Sequence, residues 1–179
     1  MILAPLSRHL AVCSLAEVHG FLAFDPDFWN VISIGDTTRA RARFTRAKSI
    51  KHWWFDDAGA AAPGSGIVMS PDQAADIWRF VDSTGEEPLL IHCFAGLSRS
   101  TAVAAAIIAR SLLQSGVQKA DLGREIANRL LQIRPPAYPN GHVVQCMLRH
   151  HLPEPDARQI AAAIWEDDRI MENRFVRPH

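Results

Sequence analysis

Cysteines are few in this chain, and they are not arranged for disulfides. The 179 residues contain only three, Cys13, Cys93 and Cys146. An odd number at wide spacing does not form the paired framework of a small secreted domain, and a free thiol survives best in a reducing compartment. We therefore expect a cytoplasmic protein.

Long apolar runs and an excess of charge of either sign are also missing. The longest apolar stretch, residues 102–109, is far shorter than the roughly 20 residues that a membrane-spanning helix needs. Nineteen basic and nineteen acidic residues cancel, so the overall charge draws the protein neither to nucleic acid nor to an anionic membrane. We expect one domain of ordinary size, no membrane insertion, and no nucleic acid as the main partner.

Short apolar runs with the length of strands occur four times, and they occupy residues 10–12, 31–34, 52–55 and 89–92. Helices are predicted between the last two runs and then repeatedly after the fourth. Strands that alternate with helices and are followed by a run of helices indicate an α/β fold. We predict a mainly parallel central sheet of four to five strands flanked by helices, with a ligand site where a strand ends and a helix begins.

The helix before the fourth strand has the clearest start. Ser70, Pro71 and Gln73 supply a hydroxyl cap, a proline at the first helical position and an amide that can reciprocate the cap, so the helix should run to about Ser83. Apolar spacing and alanine content predict the later helices, which are expected over residues 99–114, over residues 119–133 and after Asn140.

The stretch from His92 to Thr101 carries the chemistry. Cys93 ends an apolar strand, and five residues separate it from Arg99 at the start of a helix. A loop between a strand and a helix can turn its N–H groups inward, and with the positive end of the helix dipole it forms a phosphate site. Gly96 lets the loop bend, so that the Cys93 sulfur lies beneath a tetrahedral anion while the Arg99 fork binds two of its oxygens. The same donors would stabilise a nucleophilic thiolate.

This stretch resembles the signature loop of the protein-tyrosine-phosphatase superfamily, and its ending at Ser98, Arg99 and Ser100 is most similar to the dual-specificity branch. The resemblance implies that Cys93 attacks phosphorus, Arg99 binds phosphate, the Ser100 hydroxyl helps the sulfur leave, and His92 orients the loop. It also implies that phosphate is bound by Phe94, Ala95, Gly96, Leu97, Ser98 and Arg99, without a metal or cofactor. The alternative, a buried structural cysteine, is disfavoured by an arginine at this spacing.

Cleavage of a phosphoester also needs a proton for the leaving oxygen. Asp56 and Asp57 follow the third predicted strand, in a stretch similar to the Trp-Pro-Asp-x-Gly acid loop of the family. Aligning Gly59 with the glycine of that motif makes Asp57 the acid. Phe55 and Asp56 stand where tryptophan and proline are usual, so Asp56 remains the alternative.

The resemblance extends over roughly residues 8–152, because residues 133–140 are similar to the arginine and proline stretch that follows the signature helix in this branch. We expect a phosphatase domain over residues 1–152 and a C-terminal helical extension, residues 153–179, packed on the same domain through one apolar side.

The sequence therefore predicts a cysteine-dependent phosphatase that hydrolyses phosphotyrosine in a phosphorylated protein or peptide and releases phosphate. Activity on phosphoserine and phosphothreonine stays open. One alternative is a phosphoinositide or RNA 5'-triphosphate phosphatase, which a basic run between Arg39 and Lys51 mildly favours. Another is a catalytically silent module that binds phosphopeptides. The histidines other than His92 show no ligand spacing with cysteines or carboxylates, so we expect no metal.

Overall fold

A computed structural model describes residues 8–38, 43–59 and 66–176 of the chain. Parts of four predicted features lie outside the described residues. They are Arg39 and Arg41 of the basic run, residues 60–65 after Asp56 and Asp57, residues 1–7 of the predicted phosphatase domain and residues 177–179 of the predicted extension.

The central sheet has four strands, in the spatial order β1-β4-β2-β3, and every pairing is parallel. The strands are β1 (Leu10–Ser14), β2 (Asn30–Gly35), β3 (Ser49–Trp54) and β4 (Leu89–Cys93). The helices are α1 (Val18–Phe24), α2 (Pro71–Ser83), α3 (Arg99–Gln114), α4 (Lys119–Ile133), α5 (Gly141–Leu148), α6 (Glu154–Trp165) and α7 (Asp168–Glu172), followed by a 3-10 turn (Asn173–Val176). The predicted α/β fold is confirmed, with four strands.

The alternation of side chains along β4 divides the core into two layers. Leu89, Ile91 and Cys93 belong to the large cluster that α2 to α6 cover, whereas Leu90 packs on the opposite side of the sheet with Val18 of α1. A strand buried on both faces is typical of a parallel sheet. Cys93, the last residue of this inner strand, therefore lies at the carboxyl edge of the sheet.

Local sequence accounts for the predicted helix start at α2. The Ser70 side chain accepts a hydrogen bond from the Gln73 amide, and the Gln73 side chain accepts one from the Ser70 amide, so the expected capping box is present. The start of β3 was predicted three residues too late, because the strand lies at the edge of the sheet, carries a lysine and has only Trp53 fully buried.

The C-terminal helices pack on the rest of the chain. Ile160 and Ile164 of α6 are buried in the large core cluster, and Gly123 of α4 lies so close to Ala163 that a Cβ at that position would clash. In the part of the chain that the structure describes, no helix combines the length and the apolarity needed to cross a membrane.

Candidate active site

The loop between β4 and α3 turns its carbonyl groups away from its centre. Phe94 O accepts a hydrogen bond from the Leu15 amide at 3.1 Å, Leu97 O one from the Tyr138 amide at 2.7 Å, and Ser98 O one from the Asn140 amide at 3.2 Å. The amides of Ala95, Leu97 and Ser98 donate to no acceptor within the described residues. Inward-facing amides at a helix N-terminus form an anion site.

Gly96 makes the tight turn of this loop possible. Its φ is +70°, in the left-handed region that other residues rarely adopt, and a Cβ there would lie 2.5 Å from both the Cys13 carbonyl carbon and the Ser14 nitrogen. The loop therefore rests directly on the backbone of β1, which lies beside β4 in the sheet.

The Cys93 sulfur lies at the bottom of the loop. The Gly96 amide donates a hydrogen bond to it at 3.3 Å, and the Ser100 hydroxyl is 3.2 Å away. Both contacts can stabilise negative charge on sulfur. The loop thus brings Cys93, Gly96 and Ser100 together at the amino end of α3.

Arg99 is held from one side only. Its Nη1 donates to Phe55 O at 2.9 Å and forms an ion pair with Asp36 Oδ1 at 2.8 Å. The residue is 4% exposed, and its Nε is buried without a hydrogen-bond partner in the described part of the chain. A buried donor without a partner is costly, so the Nε edge of the guanidinium is prepared for an anion.

The two neighbouring aspartates have different surroundings. Asp57 Oδ1 accepts hydrogen bonds from the Ser98 hydroxyl at 2.6 Å and from Asn140 Nδ2 at 2.8 Å. Two donors at Oδ1 leave Oδ2 as the oxygen that can carry a proton. In Asp56 both oxygens are used: the backbone amides of Ile67 and Thr37 and the Thr37 hydroxyl donate to them and lower the pKa of this carboxyl.

A cavity of about 180 Å³ joins these groups. Its walls are formed by Asp57, Cys93, Phe94, Ala95, Leu97, Ser98 and Arg99. A thiol, a guanidinium with an unused edge, inward amides and a carboxyl group therefore face one small space. Such a set can bind a tetrahedral anion, attack its centre and protonate a leaving oxygen.

His92 lies beneath the loop and not in the cavity. Burial lowers the pKa of its ring to about 4, and within the described residues neither ring nitrogen has a hydrogen-bond partner. Its ring packs edge-on against Phe44, with 5.1 Å between the ring centroids. The ring contact that the structure gives is with Phe44, and His92 is joined to the loop as the residue before Cys93.

No protein-family model and no curated protein sequence matches the chain, but several solved structures match its arrangement of elements. The Yvh1 phosphatase domain from Chaetomium thermophilum matches 78% of this chain and 88% of its own, with a TM-score of 0.56 and 19% identity. DUSP15 matches 90% of this chain and 94% of its own, with a TM-score of 0.54 and 17% identity. The chain has the fold of the dual-specificity phosphatases.

The human tyrosine phosphatase-like serine/threonine/tyrosine-interacting protein is a third match to this fold, with a TM-score of 0.54, 16% identity, and coverage of 84% of this chain and 93% of that one. At identities below 20% these likenesses establish the fold. They confirm, at that level, the resemblance that the signature loop indicated in the sequence.

Two residues near the cavity of this dual-specificity phosphatase fold were not identified as site residues from the sequence. Asp36 follows β2 at the carboxyl edge of the sheet, where parallel strands direct ligand-binding groups, and that position was its only sequence signal. Asn140 was expected to start a helix, and its side-chain oxygen does cap α5, but its Nδ2 also reaches Asp57. Asn140 thus both caps α5 and donates a hydrogen bond to Asp57.

Cys13 and Cys146 do not line the cavity. Cys13 faces the α1 side of the sheet, opposite to Cys93, and burial raises the pKa of its thiol to about 12. Cys146 is 3.4 Å from His142 Nε2, and burial raises its pKa as well. Both are buried free thiols in the small apolar role that cysteine commonly takes.

Proposed function

We propose that this protein is a cysteine-dependent phosphatase that hydrolyses phosphotyrosine through a phosphocysteine intermediate. The observation that carries the proposal is that Arg99, whose buried Nε lacks a hydrogen-bond partner in the described residues, lines the same cavity as Cys93. A buried guanidinium edge beside a nucleophile fits a phosphate group, whose oxygens accept two parallel hydrogen bonds from it.

In the first step, the Arg99 edge and the inward amides hold the phosphate while the Cys93 thiolate attacks phosphorus. The S–P bond forms as the P–O bond to the phenol breaks, and the proton on Asp57 Oδ2 passes to the departing oxygen. The donors at Asp57 Oδ1 keep the proton on the other oxygen and hold the carboxyl group at the cavity.

In the second step, water attacks the phosphocysteine. The Asp57 carboxylate takes a proton from that water, the P–S bond breaks, and phosphate is released. The Ser100 hydroxyl and the Gly96 amide, both within hydrogen-bonding distance of the sulfur, stabilise the thiolate that leaves. Arg99 and the loop amides neutralise the equatorial oxygens in both steps.

A phosphorylated protein or peptide is the substrate class that we propose. The loop positions between Cys93 and Arg99 are Phe94, Ala95, Gly96, Leu97 and Ser98, and none of them is the lysine that lipid phosphatases of the superfamily often carry there. We further propose a reducing, cytoplasmic setting, since the free thiol of Cys93 must stay reduced. Residues 1–152 would be the phosphatase domain, with residues 153–179 packed on it.

Hydrolysis of 4-nitrophenyl phosphate and of a phosphotyrosine peptide, with EDTA present, tests this function. We expect turnover by the wild type and loss of turnover in Cys93→Ser, with a phosphocysteine trapped on Cys93 in rapid-quench mass spectrometry. Binding of the phosphopeptide without turnover by the wild type would replace the enzyme with the silent binding module. Preference for a phosphoinositide or an RNA 5'-triphosphate in the same assay would replace the substrate class.

A further inference from the structure

The C-terminal extension makes polar contacts with one short segment of the domain. Trp165 Nε1, at the end of α6, donates to Pro139 O at 2.7 Å, and the Trp165 ring packs on Tyr138 with 5.0 Å between centroids. Asn173 Nδ2, in the 3-10 turn, donates to Pro135 O at 2.8 Å and to Ala137 O at 2.9 Å. Three backbone carbonyls of residues 135–139 are therefore fixed by side chains of the extension.

The same segment contacts the candidate active site on its other side. The Tyr138 amide donates to Leu97 O, and the Asn140 amide donates to Ser98 O. Asn140 Nδ2 then donates to Asp57 Oδ1 and, at 3.1 Å, to Ala58 O. Segment 135–140 thus links the extension to the loop between β4 and α3, residues 94–98, which we call the phosphate loop, and to the acid loop that contains Asp57.

We propose that the extension is a positioning element for the catalytic acid, in which Trp165 and Asn173 act through segment 135–140 and Asn140 to hold Asp57 at the cavity. This proposal rests on the proposed function, because it takes Asp57 as the proton donor. It assigns a role in the reaction to residues 153–176, which lie outside the stretch that resembles the family.

Packing alone does not account for these contacts. Ile160 and Ile164 already bury the apolar side of α6 in the core, and that burial stabilises the helix. The hydrogen bonds of Trp165 and Asn173 go to the carbonyls of Pro135, Ala137 and Pro139, of which Ala137 and Pro139 are buried, so they hold this backbone segment in place. Their effect is on position: a displacement of about 1 Å at a catalytic group can slow a reaction about 100-fold.

Dependence on the leaving group separates positioning of the acid from general loss of structure. Phenolate is a poor leaving group that needs a proton, whereas 4-nitrophenolate leaves more readily without one. In Trp165→Phe and Asn173→Ala we expect kcat/KM for phenyl phosphate to fall about 5- to 50-fold, while kcat/KM for 4-nitrophenyl phosphate falls less than about 3-fold. This ratio reports the reaction up to formation of the phosphocysteine and excludes the second step, in which Asp57 acts on the same intermediate for both substrates. Trp165→Phe keeps an aromatic ring beside Tyr138 and removes the indole donor together with part of the indole ring.

Phe175→Ala is the matched control, since Phe175 lies in the same 3-10 turn as Asn173 and is 85% exposed. It should leave both rates unchanged. Asp57→Ala is the reference for loss of the acid and should show the same preference for the better leaving group, only larger. If Asp57→Ala shows that preference and the extension variants slow both substrates equally or neither, this inference is wrong. If Asp57→Ala itself shows no preference, the acid assignment within the proposed function fails instead.

Discussion

At the scale of single residues, hydrogen bonding separates the two neighbouring aspartates. Asp57→Asn should lower turnover of a phosphotyrosine peptide by a factor of about 100 or more, because no proton reaches the leaving oxygen. Asp56→Asn should change turnover by less than about 5-fold and lower the free energy of unfolding by about 1 kcal/mol, because hydrogen bonds from Thr37 and Ile67 are weakened.

Steady-state turnover of both variants on the phosphotyrosine peptide, with urea unfolding as the stability measurement, checks this prediction. A larger loss of turnover in Asp56→Asn than in Asp57→Asn would reverse the assignment.

Asp36 neutralises part of the Arg99 charge when no phosphate is bound. The pair is well shielded, with Asp36 19% and Arg99 5% exposed at the side chain. Asp36→Asn should lower the free energy of unfolding by about 2 to 3 kcal/mol, because it removes the carboxylate that forms the ion pair with this buried guanidinium. A bound phosphate dianion replaces that charge, so the difference in Tm between variant and wild type should shrink when phosphate is saturating.

Thermal unfolding with and without phosphate measures this effect. Asp82→Asn is the control, since Asp82 pairs with Arg110 in a more exposed ion pair that does not line the cavity. Its smaller loss of Tm should be the same in both conditions. An Asp36→Asn deficit that phosphate does not reduce would show that Asp36 does not compensate the phosphate-binding charge.

At the scale of elements, contact between the phosphate loop and β1 makes Gly96 irreplaceable. Gly116 also has a positive φ, +82°, but no atom lies within 4 Å of the position of its Cβ. Gly116→Ala should therefore cost only the backbone strain, about 1 to 2 kcal/mol. Gly96→Ala should cost more and weaken phosphate binding at least tenfold, about 1.4 kcal/mol, because the loop must move away from Cys13 and Ser14.

Urea unfolding and calorimetric titration with phosphate compare the two variants. Equal losses of stability, or unchanged phosphate affinity in Gly96→Ala, would mean that the loop tolerates displacement from β1.

The elements that the sequence predicted well are those with local signals. The capping box at Ser70 and the alanine-rich run after Arg99 determine α2 and α3 without help from the rest of the chain. Helix α1 was not predicted, because it has seven residues, no side-chain cap and only two buried positions. In the site, Cys93 and Arg99 are close in sequence, so their spacing was informative. Contacts of Asp36 with Arg99 and of Asn140 with Asp57 join distant residues, and only the folded chain brings them together.

At the scale of the whole molecule, a buried neutral histidine should make stability depend on pH. His92 has an ordinary pKa of about 6.5 in the unfolded chain, and burial lowers it to about 4 in the fold. The unfolded state therefore binds the proton first, so the contribution is fully present above about pH 6.5 and is lost as pH falls towards 4. We expect the free energy of unfolding to decrease by about 3 kcal/mol over this interval.

Urea unfolding of the wild type and of His92→Asn at several pH values between 7.5 and 4 measures the slope. The slope, and not the absolute stability, is compared, because any substitution at this buried position changes packing.

His151 adds a smaller slope of the same sign, since burial lowers its pKa too and the residue is more exposed. Carboxyl groups affect stability at lower pH. Burial alone would raise the pKa of Glu17, but hydrogen bonds from Arg134 and Ser14 outweigh it and bring that pKa to about 2. The contribution of Glu17 to stability is therefore lost only between about pH 4.5 and 2. A wild-type slope in His92→Asn would mean that this ring is not the group that resists protonation.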